Sequence, residues 1–400
     1  MDPHYRALFN RQITADRYDA YTRDLSARLD STFEFRLAET PVFIPDDLRE
    51  RLVESAEAIV AQLSEPATIE RMKAAIPARW DTPGMDALPN FAQVDFAVVR
   101  EDGRLVPKLI ELQGFPSLTG LQVVQRDAWN DALHAMAGLD RNWSCWFSGL
   151  DRAGFIDLAR RTIVGHHDPA EVVLLDLDPP RQKTWPDFAA TKLLFGVDPV
   201  DPSALIKRGR QLFRRDAGGR EIRVQRIYNR IVFDELEKKR TAMPFDYREE
   251  LEVEWTPHPN WYWVWSKYSL PFLDHPSVPR ARFLSEVDPL PEDLSGYVLK
   301  PLFSFAGGGV NVDPTADDVA AIPPAERSAW CLQEKIEYEP ALQAADGGGV
   351  KVEIRMMFLR PDDDSRLTLA QNLIRLSRGK MLGVDFNKQY TWVGSSVGLM

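Results

Sequence analysis

Cys145 and Cys331 are the only 2 cysteines in 400 residues. Two thiols so far apart build neither a disulfide framework nor a zinc site, so both are expected as buried small hydrophobes. No run of about 18 apolar residues occurs, which excludes a membrane-spanning helix. The opening MDPHYRALFNRQ lacks the apolar centre of a secretory signal. Positive charge is also short: 49 Lys and Arg stand against 60 Asp and Glu, a net charge of -11. Nucleic-acid binding by phosphate neutralisation needs the opposite balance, although a local basic patch could still hold a nucleotide. The 6 histidines show no metal spacing, and His166-His167 reads as a surface or capping pair. No Ser-His-Asp pattern, internal repeat or low-complexity tract is present. The expectation is a cytoplasmic protein with no membrane or nucleic-acid partner and with access to ATP.

What is there is globular. Hydrophobic residues make up 44% and charged residues 27%, and the length calls for two or three substructures. The first ninety residues carry helical spacing. The clearest case follows Asp46, where Leu48, Leu52, Ala56, Ile59, Val60 and Leu63 form one stripe. The pattern then changes to VDFAVV and RLVPKLIELQ, two strands joined by the turn REDG. Helices are expected near 118–137 and 152–164. EVVLLDLD is short, apolar and rich in Val and Leu, as a buried parallel strand is. PDFAATKLLFG follows as a helix stopped by Gly196, and DAGG marks a second hairpin. Prolines crowd 257–291, where Trp261, Trp263 and Trp265 are expected as packing residues. From Ser295 onward the chain reads as strands: GYVLKPLF, GVNVD, AWCLQEKI, VKVEIRMMFL and RLTLAQNLIRL.

Several stretches carry chemistry. The hairpin puts Asp95 on one strand and Glu111 and Gln113 on the other. In GYVLKPLFSFAGGGVNV, Lys300 ends a strand and can reach a phosphate as a point charge. The glycines after it let backbone N–H groups approach phosphate oxygens. This is not a P-loop, because no Gly-Lys-Ser/Thr follows and a strand comes next. CLQEKIEYEPAL runs from an apolar strand into Glu334, Lys335, Glu337 and Glu339, which suits a hinge against adenine and ribose. In VKVEIRMMFL, Glu353 and Arg355 project from one face. Arg375 and Arg378 precede a loop with Asn387 and Gly394-Ser395-Ser396, and arginine there suits a phosphoryl group in transfer. Each stretch has a plainer reading: a tight hairpin, a solvated edge strand, a surface ion pair.

Their order is what resembles a known family. Strand-Lys-glycine loop, Glu-bearing hinge, Glu-x-Arg strand, then Arg with an Asn and Gly/Ser loop resembles the ATP-grasp superfamily. That family follows these parts with an Asp on one strand and Glu-x-Asn on the next. Here no such unit follows Arg375, and Asp95 with Glu111-Leu112-Gln113 looks like it, moved to the N-terminal side. Circularly permuted ATP-grasp ligases of the glutathionylspermidine synthetase type have this order. HPNWYWVWSKYSLPFL resembles their lead into the nucleotide lobe, with Lys267 matching a phosphate-binding lysine. IRVQRIYNRIVFDEL resembles a strand ending in a tyrosine and arginine pair, Tyr228 and Arg230. The likeness covers roughly 90–400, and Gln113 stands where the family has Asn.

The resemblance implies an α+β chain with a circularly permuted ATP-grasp fold, a helical N-terminal region and a small central α/β, pre-ATP-grasp-like domain. The implied divisions are 1–90 helical, 91–165 metal-binding hairpin and joining helices, 166–285 central domain, and 286–400 nucleotide lobe and core. It implies ATP and Mg²⁺ as cofactors. Asp95, Glu111 and Gln113 would hold the metal. Lys267, Lys300, Ser304, Gly307, Gly308 and Gly309 would hold phosphates, and Gln333, Glu334, Ile336 and Glu339 the nucleoside. Arg355 or Arg375 would stabilise the transferring phosphoryl group, and an exposed Arg230 would meet a substrate carboxylate, its plainer reading being a structural ion pair with Asp234 or Glu235. The implied activity joins a small-molecule or peptide carboxylate to an amine or thiol through an acyl-phosphate. A phosphotransferase and a non-catalytic nucleotide-binding protein stay open as alternatives.

Overall fold

The turn REDG is built as expected. Asp102 and Gly103 both take left-handed backbone, with φ 48° and 77°, the conformation a two-residue hairpin loop needs to match strand twist. It joins the strands Phe91–Glu101 and Arg104–Gln113, with Glu101 opposite Arg104. The computed structural model describes residues 1–303, 308–379, 387 and 389–400.

The hairpin does not stay with its sequence neighbours. Phe91–Glu101 pairs antiparallel with Gly349–Leu359, which pairs with Thr368–Ser377, which pairs with Gly394–Ser396. A short strand, Leu342–Gln343, also pairs with Gly349–Leu359. One face of this six-stranded antiparallel sheet is apolar: Val94, Phe96, Leu109, Leu112, Ile354, Met356, Phe358 and Ile374 are all buried in one hydrophobic cluster. The same cluster takes in Leu48, Leu52 and Ile59 of the helix Asp46–Ser64, Leu25 of Ala15–Leu29 and Trp129 of Thr119–His134. The helical stripes read from the sequence thus cover one side of the sheet.

The central parallel sheet is also as expected. Val172–Leu175 lies between Asp198–Val200 and Arg226–Asn229, with Glu254–Thr256 outside the latter, all parallel. Leucine and valine bury completely there because helices cover both faces of such a strand. The helix Trp185–Phe195 stops at Gly196, whose φ is 74°. The DAGG hairpin joins Gln211–Arg215 to Glu221–Val224.

A third, smaller sheet orders Ala281–Phe283, Trp330–Glu334 and Tyr297–Pro301. It has its own core of Leu284, Leu294, Leu299, Val319 and Leu332. The strand expected at GVNVD is reduced to one bridge, Leu299 with Asn311. Only that residue finds a free edge of Tyr297–Pro301 to pair with. Both cysteines are buried and free, and Trp261, Trp263 and Trp265 pack inside. Among the described residues no helix is long and apolar enough to cross a membrane.

Candidate functional site

Two bulges in the six-stranded antiparallel sheet create its polar face. In a regular strand Leu109, Glu111 and Gln113 would share one face. The pairing shifts so that Leu109 lies opposite Phe96 while Glu111 lies opposite Asp95, leaving Ile110 as the extra residue. Leucine goes to the core and glutamate to the other side. A second shift sets Phe358 opposite Leu369 but Met357 opposite Gln371. The result is a face of Gln93, Asp95, Glu111, Gln113, Glu353, Arg355, Gln371 and Arg375, drawn from four strands.

The charges on this face are paired. Asp95 is 0% exposed, and its two oxygens accept from Arg355 Nε and Nη2, each at 2.6 Å. Arg375 also reaches Asp95 Oδ2 and forms an ion pair with Glu353. Lys267 Nζ stands 3.1 Å from Glu111 Oε1. Lys300 Nζ donates to Gln333 Oε1 at 2.6 Å and to the carbonyl of the bulge residue Ile110 at 3.0 Å. The small sheet is thereby tied to the hairpin through the residue that the bulge leaves unpaired.

Gly114 permits a close backbone contact at the site. A Cβ there would stand 2.6 Å from the Trp261 carbonyl and 2.9 Å from Trp265 Cβ. Its N–H donates to Trp265 O at 2.7 Å. The aromatic segment therefore lies directly on the hairpin end, and Lys267, two residues on, falls beside Glu111. Phe303, at the entrance to the glycine-rich loop, packs on Trp263 and Tyr268 with ring centroids at 5.5 and 6.0 Å. A cavity of about 30 Å³ remains between Glu111, Gln113, Phe115, Tyr262, Lys267 and Phe303, room for one water-sized group.

Burial and charge act in opposite directions here. Burial pushes the Asp95 carboxyl up, but Arg355 and Arg375 outweigh it and hold it below the usual carboxylate range. Burial lowers Lys300 relative to an ordinary lysine. Arg355 is likewise opposed by burial, and Asp95 prevails and raises it. The Asp95 and Arg355 pair favours the charged forms only while both members are present.

The expected metal donors do converge. Asp95 and Glu111 are directly opposed, and Gln113 Oε1 is buried without a hydrogen-bond partner. An all-oxygen set with one unsatisfied carbonyl suits Mg²⁺. Among the described residues no three His, Cys, Asp or Glu come together as a metal group, so the set depends on the Gln113 amide. It also depends on Asp95 giving up one of its arginines.

The remaining expectations divide. Arg355 and Arg375 lie on the same face as the hairpin acids, and Gln333 holds Lys300. Glu334 and Glu339 are exposed and Ile336 half-buried. Glu334 accepts from Arg280 N at 3.1 Å. Gly309 turns with φ 71° close to Pro301, and Gly308 precedes it in the same turn. Ser304 and Gly307 lie outside the described residues. Arg230 requires a correction. It was expected to be exposed, yet it is 3% exposed and ion-paired at 2.6 Å with the wholly buried Asp187. Asp187 also accepts from Gly120 N and Leu121 N, so it needs a buried cation beside it, and Arg230 supplies one. Gln93 escaped the sequence reading. Its amide is buried with neither atom hydrogen-bonded, and its one signal was its place two residues before Asp95.

No protein-family model matches this chain, and no curated protein matches it. Among solved structures it is similar to a glutathione synthetase-like effector, GSS30, from Globodera pallida, in the apo form. The TM-score is 0.57 and the identity 13%, covering 92% of this chain and 94% of that one. The chain thus shares the mixed α/β fold of that glutathione synthetase-like structure along nearly its whole length.

Proposed function

We propose that this protein is an ATP-dependent carboxylate–amine (or thiol) ligase of the circularly permuted ATP-grasp kind. The carrying observation is the union of Asp95 with Arg355 across a sequence separation of 260. Residues at the front of the chain and near its end meet as neighbours in one sheet, where phosphate-binding and metal-binding parts would have to meet. The glutathione synthetase-like fold supports the same reading at the level of architecture.

In this reading the small sheet, with Lys300, covers a triphosphate lying on the polar face. Lys267 and Lys300 draw the α- and β-phosphates as point charges. Gln333, Glu334, Ile336 and Glu339 line the nucleoside. Asp95, Glu111 and Gln113 would hold Mg²⁺, which when bound supplies charge neutralisation at the β- and γ-phosphate oxygens. A carboxylate oxygen of the acid attacks the γ-phosphorus, and the bond to ADP breaks. Arg355 and Arg375 stand where charge grows on the transferring group. The amine nitrogen then attacks the acyl carbon, loses its proton, and inorganic phosphate leaves. The aromatic wall of Phe115, Tyr262 and Phe303 beside Glu111 excludes water from the acyl-phosphate. The hairpin and 286–400 form the catalytic core, 166–285 the substrate-side domain, and 1–90 the helical cover.

The test is product analysis. Purified protein with Mg-ATP should release ADP and phosphate only when an acid and an amine are both supplied from a metabolite panel. AMP with pyrophosphate would overturn the acyl-phosphate route. One observation favours a second reading, a non-catalytic nucleotide-binding protein: both Asp95 oxygens are already taken by arginine. Mg-ATP binding without turnover over the whole panel would support that reading.

A further inference from the structure

The polar face contains three carboxylates, Asp95, Glu111 and Glu353, and two cations, Arg355 and Arg375, while Lys267 and Lys300 reach the hairpin from other elements and bring the basic groups to four. This balance is wrong for a bare divalent ion. Adding one would place two more positive charges in a cluster that is already positive, and like charges a few ångströms apart repel strongly when desolvated. A nucleotide changes the balance, because its phosphates carry more negative charge than its metal carries positive.

The four cations are not equally committed. Arg355 is fixed: it is nearly buried, and its two hydrogen bonds to Asp95 are parallel and short. Such bidentate pairs resist separation. Arg375 is divided. It is shared between Asp95 and Glu353, which are 0% and 3% exposed, while its own side chain keeps 28% exposure. Its Nε has no hydrogen-bond partner. It can let go of Asp95 without losing a carboxylate, because Glu353 remains. Asp95 keeps Arg355 in either case.

We propose that Arg375 is an internal counter-ion that occupies the metal-facing side of Asp95 and makes metal binding conditional on nucleotide. With nucleotide absent, Arg375 bridges Asp95 and Glu353 and the divalent ion is kept out. When phosphates arrive, they and Glu353 satisfy the guanidinium, Asp95 Oδ2 loses one of its two donors and keeps Arg355 Nη2, and the lone pair so freed is open to the metal that enters with the nucleotide. Arg375 is thus a positioning residue for the metal. This inference rests on the ligase reading only for the identity of the phosphate ligand.

The test uses Mn²⁺ as the probe, followed by electron paramagnetic resonance or calorimetry on the full chain. Wild type should bind Mn²⁺ weakly alone and more tightly with a non-hydrolysable ATP analogue. Arg375→Met should bind Mn²⁺ without nucleotide about tenfold more tightly than wild type, a conservative share of the repulsion removed. Arg375→Lys, which keeps the charge, should stay like wild type and serves as a check on folding. Equal Mn²⁺ affinity of wild type and Arg375→Met without nucleotide overturns the proposal, as does wild-type binding of Mn²⁺ that nucleotide does not improve. Binding of the ATP analogue in metal-free buffer is measured separately. Failure there counts against the ligase reading, while the Arg375→Met comparison without nucleotide still decides the counter-ion.

Discussion

Asp95 and Arg355 face each other across two antiparallel strands and are joined by two hydrogen bonds of 2.6 Å. Neither is exposed to solvent by more than a few per cent. Removing one partner strands the other's charge in the interior. Asp95→Ala leaves two guanidiniums facing each other and should cost about 3–5 kcal/mol of stability. Denaturant unfolding measures this, and a loss under 1 kcal/mol would show the pair is well hydrated. The pH dependence has a definite sign. Asp95 is held below the ordinary carboxylate range, so its contribution is full above the unfolded value. It is lost as pH falls through the folded one. Acid unfolding of Asp95→Ala should therefore be less steep than that of wild type.

Lys300 is buried, and burial lowers it from the lysine reference of 10.5. It should therefore lose its proton at a lower pH than a surface lysine. Affinity for a nucleotide triphosphate should fall as the solution is made alkaline, and the fall should begin before 10.5. Lys300→Met should bind nucleotide more weakly than wild type and lose the early onset of that fall. Fluorescence titration with an ATP analogue across pH reports both. A wild-type profile that is flat up to the ordinary lysine value would remove Lys300 from the phosphates.

Gly114 and Gly103 separate two reasons for glycine. A Cβ at Gly114 meets the Trp261 carbonyl at 2.6 Å, whereas one at Gly103 meets nothing within 4 Å. Gly114→Ala should force the aromatic segment off the hairpin, at a cost of about 1–3 kcal/mol, and should weaken nucleotide binding by displacing Lys267. Gly103→Ala carries only the backbone cost of a left-handed residue, about 1–2 kcal/mol, and should leave binding intact. Similar binding by both variants would show that Lys267 does not depend on the Gly114 contact.

Asp176 directly follows the strand Val172–Leu175 of the parallel sheet. Burial pushes its carboxyl up to about 7, even with Arg230 opposing. The sign here is opposite to that of Asp95. The folded state holds this proton more tightly than the unfolded chain, so the contribution is present at low pH and is lost as pH rises toward 7. Asp176→Asn should remove that loss and be more stable than wild type at pH 8. A thermal melt series from pH 5 to 8 checks it, and parallel curves for the two proteins would place Asp176 in water.

Much of the fold could be read from local pattern. The REDG turn, the Asp46–Ser64 stripe, the Val172–Leu175 strand and the Gly196 stop depend on neighbours a few residues apart, and each formed. GVNVD failed as a strand because only Asn311 meets the edge at Leu299, and local alternation cannot report how much of a partner edge is offered. Arg230 looked exposed because its buried partner, Asp187, lies on a separate helix. Gln93 was passed over because an amide in an apolar strand has no charge to mark it.

The sequence by itself determined which residues carry charge, where the chain turns, and in what order Lys300, Glu353-x-Arg355 and Arg375 follow the hairpin acids. Only the tertiary structure decided that the hairpin inserts beside Gly349–Leu359, because strand pairing across 260 positions is a contest among edges that no local window contains. It also decided, through one bulge, that Glu111 faces Asp95 while Leu109 faces the core. A one-residue shift of register reverses which side chains meet. Burial then set the charge states, since Asp95 is paired and Lys300 desolvated by groups brought from far along the chain.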